Sequence, residues 1–194
     1  MIQKTDRKIL AFYSPYPGAG KTTAAEYRAN RTNDPVWSFA CPLDDIIVSI
    51  LADMGVLSKY KWNTLRSEMK ETPLPELGGA SVRDMLLKFG AAGRSLYPDI
   101  WVDCMLNEMR TSYFPVMFID DLRFPNEYNM LRSYGAKIVR ITNPGRDIVP
   151  SESETLLEGY QFDAQVVNNK NNLLSIYHGQ LDAMMAALFG GKPT

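Results

Sequence analysis

Histidine and cysteine are nearly missing from this chain. In 194 residues there is one histidine, His178, and two cysteines, Cys41 and Cys104. A single imidazole gives little support to zinc chemistry or to a Ser-His-Asp relay, both of which lean on histidine. The cysteines stand far apart and in no Cys-x-x-Cys pattern. They read as buried free thiols in a reducing compartment, not as a disulfide or a metal site. His178 falls in an expected C-terminal helix, as a surface residue. Long apolar runs are also missing: none approaches the roughly 18 residues of a membrane span, and residues 1–8 are too polar for a signal peptide. That points to a soluble, cytoplasmic protein without a membrane partner. Finally, charge of one sign is missing. Twenty-one Lys and Arg face 22 Asp and Glu, for a net charge of −1 and a pI of about 5.9. No basic field advertises nucleic acid, so any anionic ligand must be held by a few local groups.

What is present is a core-forming sequence, 45% hydrophobic, of a length that suits one domain over residues 1–194. Short apolar, β-branched runs at 9–13, 36–40, 116–119, 137–141 and 164–167 read as strands. Helical patterns alternate with them at 22–31, 43–54, 82–89, 100–110, 126–133 and 173–188. Ser81 and Asp84 have capping-box spacing, and Gly135 is placed to end a helix. Such alternation predicts an α/β fold, a doubly wound sheet of five mostly parallel strands flanked by helices. Two segments break the rhythm. Residues 55–80 carry Pro73, Pro75, Gly78 and Gly79 and read as a long loop or mobile lobe around a short helix. Residues 143–158 carry Pro144, Gly145 and Pro150 and read as a lid. Long loops in compact domains are often functional.

The first chemical signal is Ser14-Pro15-Tyr16-Pro17-Gly18-Ala19-Gly20-Lys21-Thr22-Thr23, between the first strand and the first helix. Glycines in that setting let backbone N–H groups converge on phosphate oxygens, and the helix N-terminus adds positive potential. Lys21 is placed to reach β- and γ-phosphates, and Thr22 to offer its hydroxyl to Mg²⁺. Pro15 stands where the full P-loop pattern has its first glycine. The second signal is Asp120-Asp121-Leu122-Arg123, directly after the apolar Val116-Met117-Phe118-Ile119. An acidic strand end of this kind helps hold Mg²⁺. It lies near Lys21 if the two strands are neighbours, because ligands sit outside the carboxyl ends of parallel strands. The third is Arg83 and Arg94 on either side of Phe89-Gly90, an arginine pair suited to clamping a phosphate. Phe39 and Trp101 are aromatic candidates for a base contact or for the core.

These pieces resemble the phage-type deoxynucleoside monophosphate kinases, a branch of the P-loop nucleotide kinases. The similarity runs in family order through Gly18-Ala19-Gly20-Lys21-Thr22, Phe39-Ala40 with Pro42-Leu43, Arg83, Phe89-Gly90, Arg94 and Trp101-Val102. It continues through Asp121-Leu122-Arg123-Phe124-Pro125-Asn126-Glu127, Ser153-Glu154, Asp163 and Asn168. The resemblance implies a P-loop three-layer fold, with segment 55–80 as a monophosphate-binding lobe. It implies phosphoryl transfer from ATP, with Mg²⁺, to deoxynucleoside monophosphates, giving diphosphates for DNA replication. Gly18 to Thr23 and Arg146 would bind ATP; Thr22, Asp120 and Asp121 would hold the metal. Arg83, Arg94, Arg123, Phe39 and Trp101 would meet the acceptor, with Lys21, Arg94, Arg123 and Asp121 closest to the chemistry. The family also implies a homodimer. The chain departs from the pattern at Pro15, at Asp44, where the family often has Lys, and before Ser153, where it often has His. Two other readings fit the P-loop: a small-metabolite kinase of the dephospho-coenzyme A or shikimate type, and a nucleotide-dependent switch or ATPase.

Overall fold

The computed structural model describes residues 7–144, 152–169 and 174–190. Five strands are present among them: β1 (Lys8–Tyr13), β2 (Val36–Trp37), β3 (Val116–Ile119), β4 (Lys137–Thr142) and β5 (Ala164–Val167). They form one sheet in the order β2-β3-β1-β4-β5, and every pairing is parallel. The expectation of a mostly parallel sheet thus becomes an all-parallel one. The helices between are α1 (Lys21–Thr32), α2 (Cys41–Asp53), α3 (Trp62–Ser67), α4 (Val82–Leu96), α5 (Ile100–Thr111), α6 (Pro125–Ser133), the single turn α7 (Glu152–Thr155) and α8 (Leu174–Phe189).

The chain divides into two compact units, one made of residues 1–38 and 109–194 and the other of residues 39–108. The first unit holds the sheet. Ile9 to Tyr13 are all buried, as expected for a central parallel strand covered on both faces. Leu10 and Phe12 share one face with Phe118, Val139, Ile141 and Val166. Against them pack Ala24, Ala25 and Ala29 of α1 and Tyr177, Leu181 and Met184 of α8. Alanines on α1 let that helix lie close to the strands. Two polar clamps tie the elements together. Asp163, just before β5, accepts the Ile138 N–H at 2.8 Å and ion-pairs with Arg132 and Lys137. Burial alone would raise its pKa, but these donors outweigh burial and hold it below the usual carboxylate value. Asp182 of α8 accepts from Tyr27 and Arg28 of α1, and His178 stacks on Tyr27 at 3.7 Å.

The second unit has its own core of Ile47, Leu51, Val56, Leu65, Leu74 and Val82. Here the segment 55–80 contains α3 and two short 3₁₀ turns, Val56–Ser58 and Pro75–Leu77. The capping box starts α4: the Ser81 hydroxyl accepts the Asp84 N–H at 3.2 Å, and the Asp84 carboxylate accepts the Ser81 N–H at 2.8 Å.

Several boundaries move, each for a physical reason. β2 stops at Trp37, not at residue 40, because Pro42 sits at the start of α2 and turns the chain into that helix. α4 runs on to Leu96, past the expected end at residue 89. Gly90 and Gly93 do not break it. Gly93 leaves room for the ring of Trp101, whose indole N–H donates to the Gly90 carbonyl at 3.1 Å, while Arg94 and Leu43 take the space beside Gly90. Gly135 (φ 76°) ends α6 as expected. The cysteines are free but not buried as expected: Cys41 is exposed on the first turn of α2 and Cys104 is half-buried. Among the described residues no helix is long and apolar enough to cross a membrane.

A Cβ on Gly93 would stand 2.5 Å from Cζ2 of Trp101. Gly93→Ala should therefore destabilise by about 1–3 kcal/mol, the range for overpacking, although Gly→Ala inside a helix is ordinarily stabilising. Gly179, in α8, has nothing within 4 Å, so Gly179→Ala should add about 0.5–1 kcal/mol. Urea unfolding of both variants checks the opposite signs.

Candidate functional site

β1 and β3 lie side by side, with Leu10 opposite Phe118 and Ala11 opposite Ile119. Their carboxyl ends therefore open on the same edge of the sheet. β1 leads into the loop Ser14–Gly20, and α1 begins at Lys21. Gly18 (φ 62°) and Gly20 (φ 100°) take the left-handed conformation that glycine adopts without penalty. Gly20 is the N-cap of α1, and no side chain caps that end, so it is shaped as an anion site. The buried Ser14 hydroxyl accepts the Tyr16 N–H at 3.1 Å and steadies the loop entrance beside Pro15. On the loop's other side, the Asn168 amide donates to the Ala19 carbonyl and the Tyr177 hydroxyl to the Gly20 carbonyl, each at 2.9 Å.

The Thr22 hydroxyl donates to Asp120 at 2.7 Å. The hydroxyl and the carboxylate thus offer neighbouring oxygens, a donor set that suits a hard divalent cation. Among the described residues no cluster of three or more His, Cys, Asp or Glu forms a metal cage. A Mg²⁺ ion at such a pair would draw its remaining ligands from water and phosphate, the usual arrangement for that ion. Asp121 accepts from the Ser38 hydroxyl at 2.6 Å, which ties β3's end to the end of β2.

Arg123 is held from two sides. Its backbone N–H and that of Phe124 donate to the buried Glu127 carboxylate at 2.9 and 3.0 Å. Its guanidinium stands 3.8 Å from Glu154, whose side chain is only 1% exposed. Glu154 in turn lies by Tyr13, whose hydroxyl donates to the Glu154 carbonyl at 2.8 Å. Burial, followed by the nearby acids, raises the Tyr13 phenol to about 12. Lys21 is 9% exposed. Desolvation, and then repulsion from Arg123, lower its pKa from 10.5 to about 8, against the pull of Glu154, Asp120 and Asp121. A buried cation of this kind is primed to take a polyanion, which would return the lost stabilisation.

The structure thus brings Lys21, Thr22, Asp120, Asp121 and Arg123 together at one sheet edge. Arg146 lies outside the described residues. Phe39, Arg83, Arg94 and Trp101 belong to the second unit. Arg83 ion-pairs with Glu71 at 2.9 Å. Arg94 lies back over Gly90, beside Leu43. Phe39 and Trp101 are 3% and 5% exposed. Asp44, where the resemblance departs, accepts from the Arg66 guanidinium at 3.1 Å. Sequence reasoning assigned no role to Glu127, Glu154, Ser38 or Tyr177. Glu127 and Glu154 had a signal in the motifs that contain them; Ser38 and Tyr177 had none, because their contacts span 83 and 157 residues.

No protein-family model matches the chain. A curated protein of Acanthamoeba polyphaga mimivirus, named "Putative deoxynucleotide monophosphate kinase", is 30% identical over 171 residues, which span 79% of this chain and 84% of that protein. The chain belongs to the deoxynucleotide monophosphate kinase family. Family membership agrees with the all-parallel sheet and with a glycine loop that joins its central strand to α1.

The lowered pKa of Lys21 has a consequence for stability. The fold disfavours its proton, so the penalty is full below pH 8 and is relieved as pH rises from about 8 towards 10.5. The ligand-free Lys21→Met protein should be more stable than the parent by about 1–3 kcal/mol at pH 7, and the gap should shrink by pH 10. Urea titrations at the two pH values test this; a variant less stable at pH 7 would contradict it.

Proposed function

We propose that the protein transfers the γ-phosphoryl group of ATP, with Mg²⁺, to deoxynucleoside 5′-monophosphates, yielding diphosphates. The observation that carries this reading is the convergence of Lys21, the Thr22–Asp120 pair and Arg123 beside the left-handed Gly20 loop, in a chain of this family. The loop and the N-terminus of α1 bind the donor's phosphates. Lys21 meets the β- and γ-oxygens, and Arg123, steadied by Glu154, meets charge that develops on the transferred group. Bound Mg²⁺ supplies charge neutralisation and a bridge between phosphates. Arg83 and Arg94 hold the acceptor phosphate, and Asp121 lies at the metal and acceptor end.

The acceptor phosphate is largely ionised near neutral pH, so no strong base is required. In-line transfer then needs positioning and electrostatic stabilisation, which lysine, arginine and metal provide. The scarcity of histidine fits such a reaction. Segment 55–80 serves as the monophosphate lobe of this proposal and segment 143–158, of which residues 145–151 lie outside the described ones, as its lid, excluding water that would otherwise hydrolyse ATP.

ADP release measured with ATP, Mg²⁺ and a panel of ribo- and deoxynucleoside monophosphates tests the reading. Turnover should depend on a deoxynucleoside monophosphate. Slow hydrolysis that ignores the acceptor would point to an ATPase or switch instead. Lys21→Met should cut turnover by about 10²-fold or more, the scale of losing a preorganised electrostatic contact. Arg94→Ala should raise KM for the monophosphate, lower kcat, or both, while leaving KM for ATP near its starting value. Unchanged kinetics would make Arg94 structural.

A further inference from the structure

The side of the glycine loop opposite its N–H groups carries an arrangement that the reaction chemistry does not require. Asn168 follows β5, and its own N–H extends the ladder by donating to the Thr142 carbonyl at 2.8 Å. Its side-chain amide reaches across 149 residues of sequence to the Ala19 carbonyl. Tyr177 is 1% exposed, and its hydroxyl reaches the Gly20 carbonyl. Burial pushes that phenol well above its ordinary pKa, so it stays a donor. The Gly20 carbonyl also accepts the Ala24 N–H at 2.9 Å. It therefore keeps one partner without Tyr177, and the phenol is not needed merely to satisfy it.

Peptide planarity gives these two contacts a direction. In a trans peptide the C=O of one residue and the N–H of the next point opposite ways. Fixing the Ala19 carbonyl fixes the N–H of Gly20, and fixing the Gly20 carbonyl fixes the N–H of Lys21. Both carbonyls turn towards β5 and α8, so both N–H groups turn the other way, to the open end of α1. Gly20 fits this clamp as no other residue does: a Cβ there would stand 2.4 Å from the Asn168 amide and 3.3 Å from the Tyr177 hydroxyl. α8 is itself anchored on α1 through Asp182 with Tyr27 and Arg28, and through His178 stacked on Tyr27.

We propose that Asn168 and Tyr177 are positioning residues that hold two consecutive peptide planes of the loop with their N–H groups aimed at the donor's phosphates before any nucleotide binds. The proposal rests on the donor-binding role given to this loop above. It assigns the C-terminal helix a share in nucleotide affinity without contact to the nucleotide.

Tyr177→Phe removes one oxygen and keeps the ring in the core, and Asn168→Ala removes the other donor. Titration calorimetry with ATP and with inorganic tripolyphosphate reads the effect directly. Each variant should weaken both ligands by about three- to tenfold, the scale of one hydrogen bond. Affinity for a deoxynucleoside monophosphate should stay unchanged. In turnover assays the change should fall on KM for ATP, with KM for the acceptor unaltered. Unchanged ATP and tripolyphosphate affinity in both variants, with only a fall in melting temperature, would overturn the proposal. So would an equal loss for the monophosphate. A parent protein that binds ATP but transfers no phosphoryl group would sink the kinase reading and leave this one standing.

Discussion

Everything at the candidate site depends on the parallel pairing of β1 with β3. Parallel neighbours end on the same edge of a sheet, so the residues that follow them are thrown together. Here the residues after β1 are the glycine loop and Lys21-Thr22, and those after β3 are Asp120 to Arg123. The order β2-β3-β1-β4-β5 leaves no strand between them. The pairing is well enforced, because Ile9 to Tyr13 and Met117 to Ile119 are buried. A one-residue slip would exchange the sides on which Leu10 and Phe12 pack, away from α1 and α8.

The same pairing creates an electrostatic tension. Lys21 and Arg123 stand close enough to repel, in a place where water screens little. Three carboxylates, Glu154, Asp120 and Asp121, offset part of that repulsion. Replacing Lys21 with an apolar residue would relieve the fold and take from the site the cation that the loop presents to a polyanion. The charge balance of the whole chain, −1, says nothing of this. Affinity for an anion resides in a few groups whose proximity the sheet imposes.

The second unit follows different rules. It has a separate apolar core, and its longest helix carries two glycines in its interior where helix propensity argues against them. The cost is offset by the Trp101 ring, which occupies the space beside Gly93, and by Arg94 and Leu43, which occupy the space beside Gly90. Local propensity there predicts a helix end, and tertiary packing overrides it.

Sequence alone determined a good deal. Apolar periodicity located all five strands, and β3 and β5 fall on their expected bounds, because short β-branched runs between turn residues have few other ways to be buried. The Ser81–Asp84 cap and the Gly135 stop were legible too, since both are local backbone chemistry. So were the glycine loop, the acidic strand end and Arg123, each a contiguous motif. Only the tertiary structure decided the rest: where β2 ends, how far α4 runs, that Glu154 holds Arg123, and that Asn168 and Tyr177 grip the loop from behind. Those contacts join residues up to 157 positions apart. A sequence records which side chains have the chemistry to meet, while burial and strand order choose which of them do.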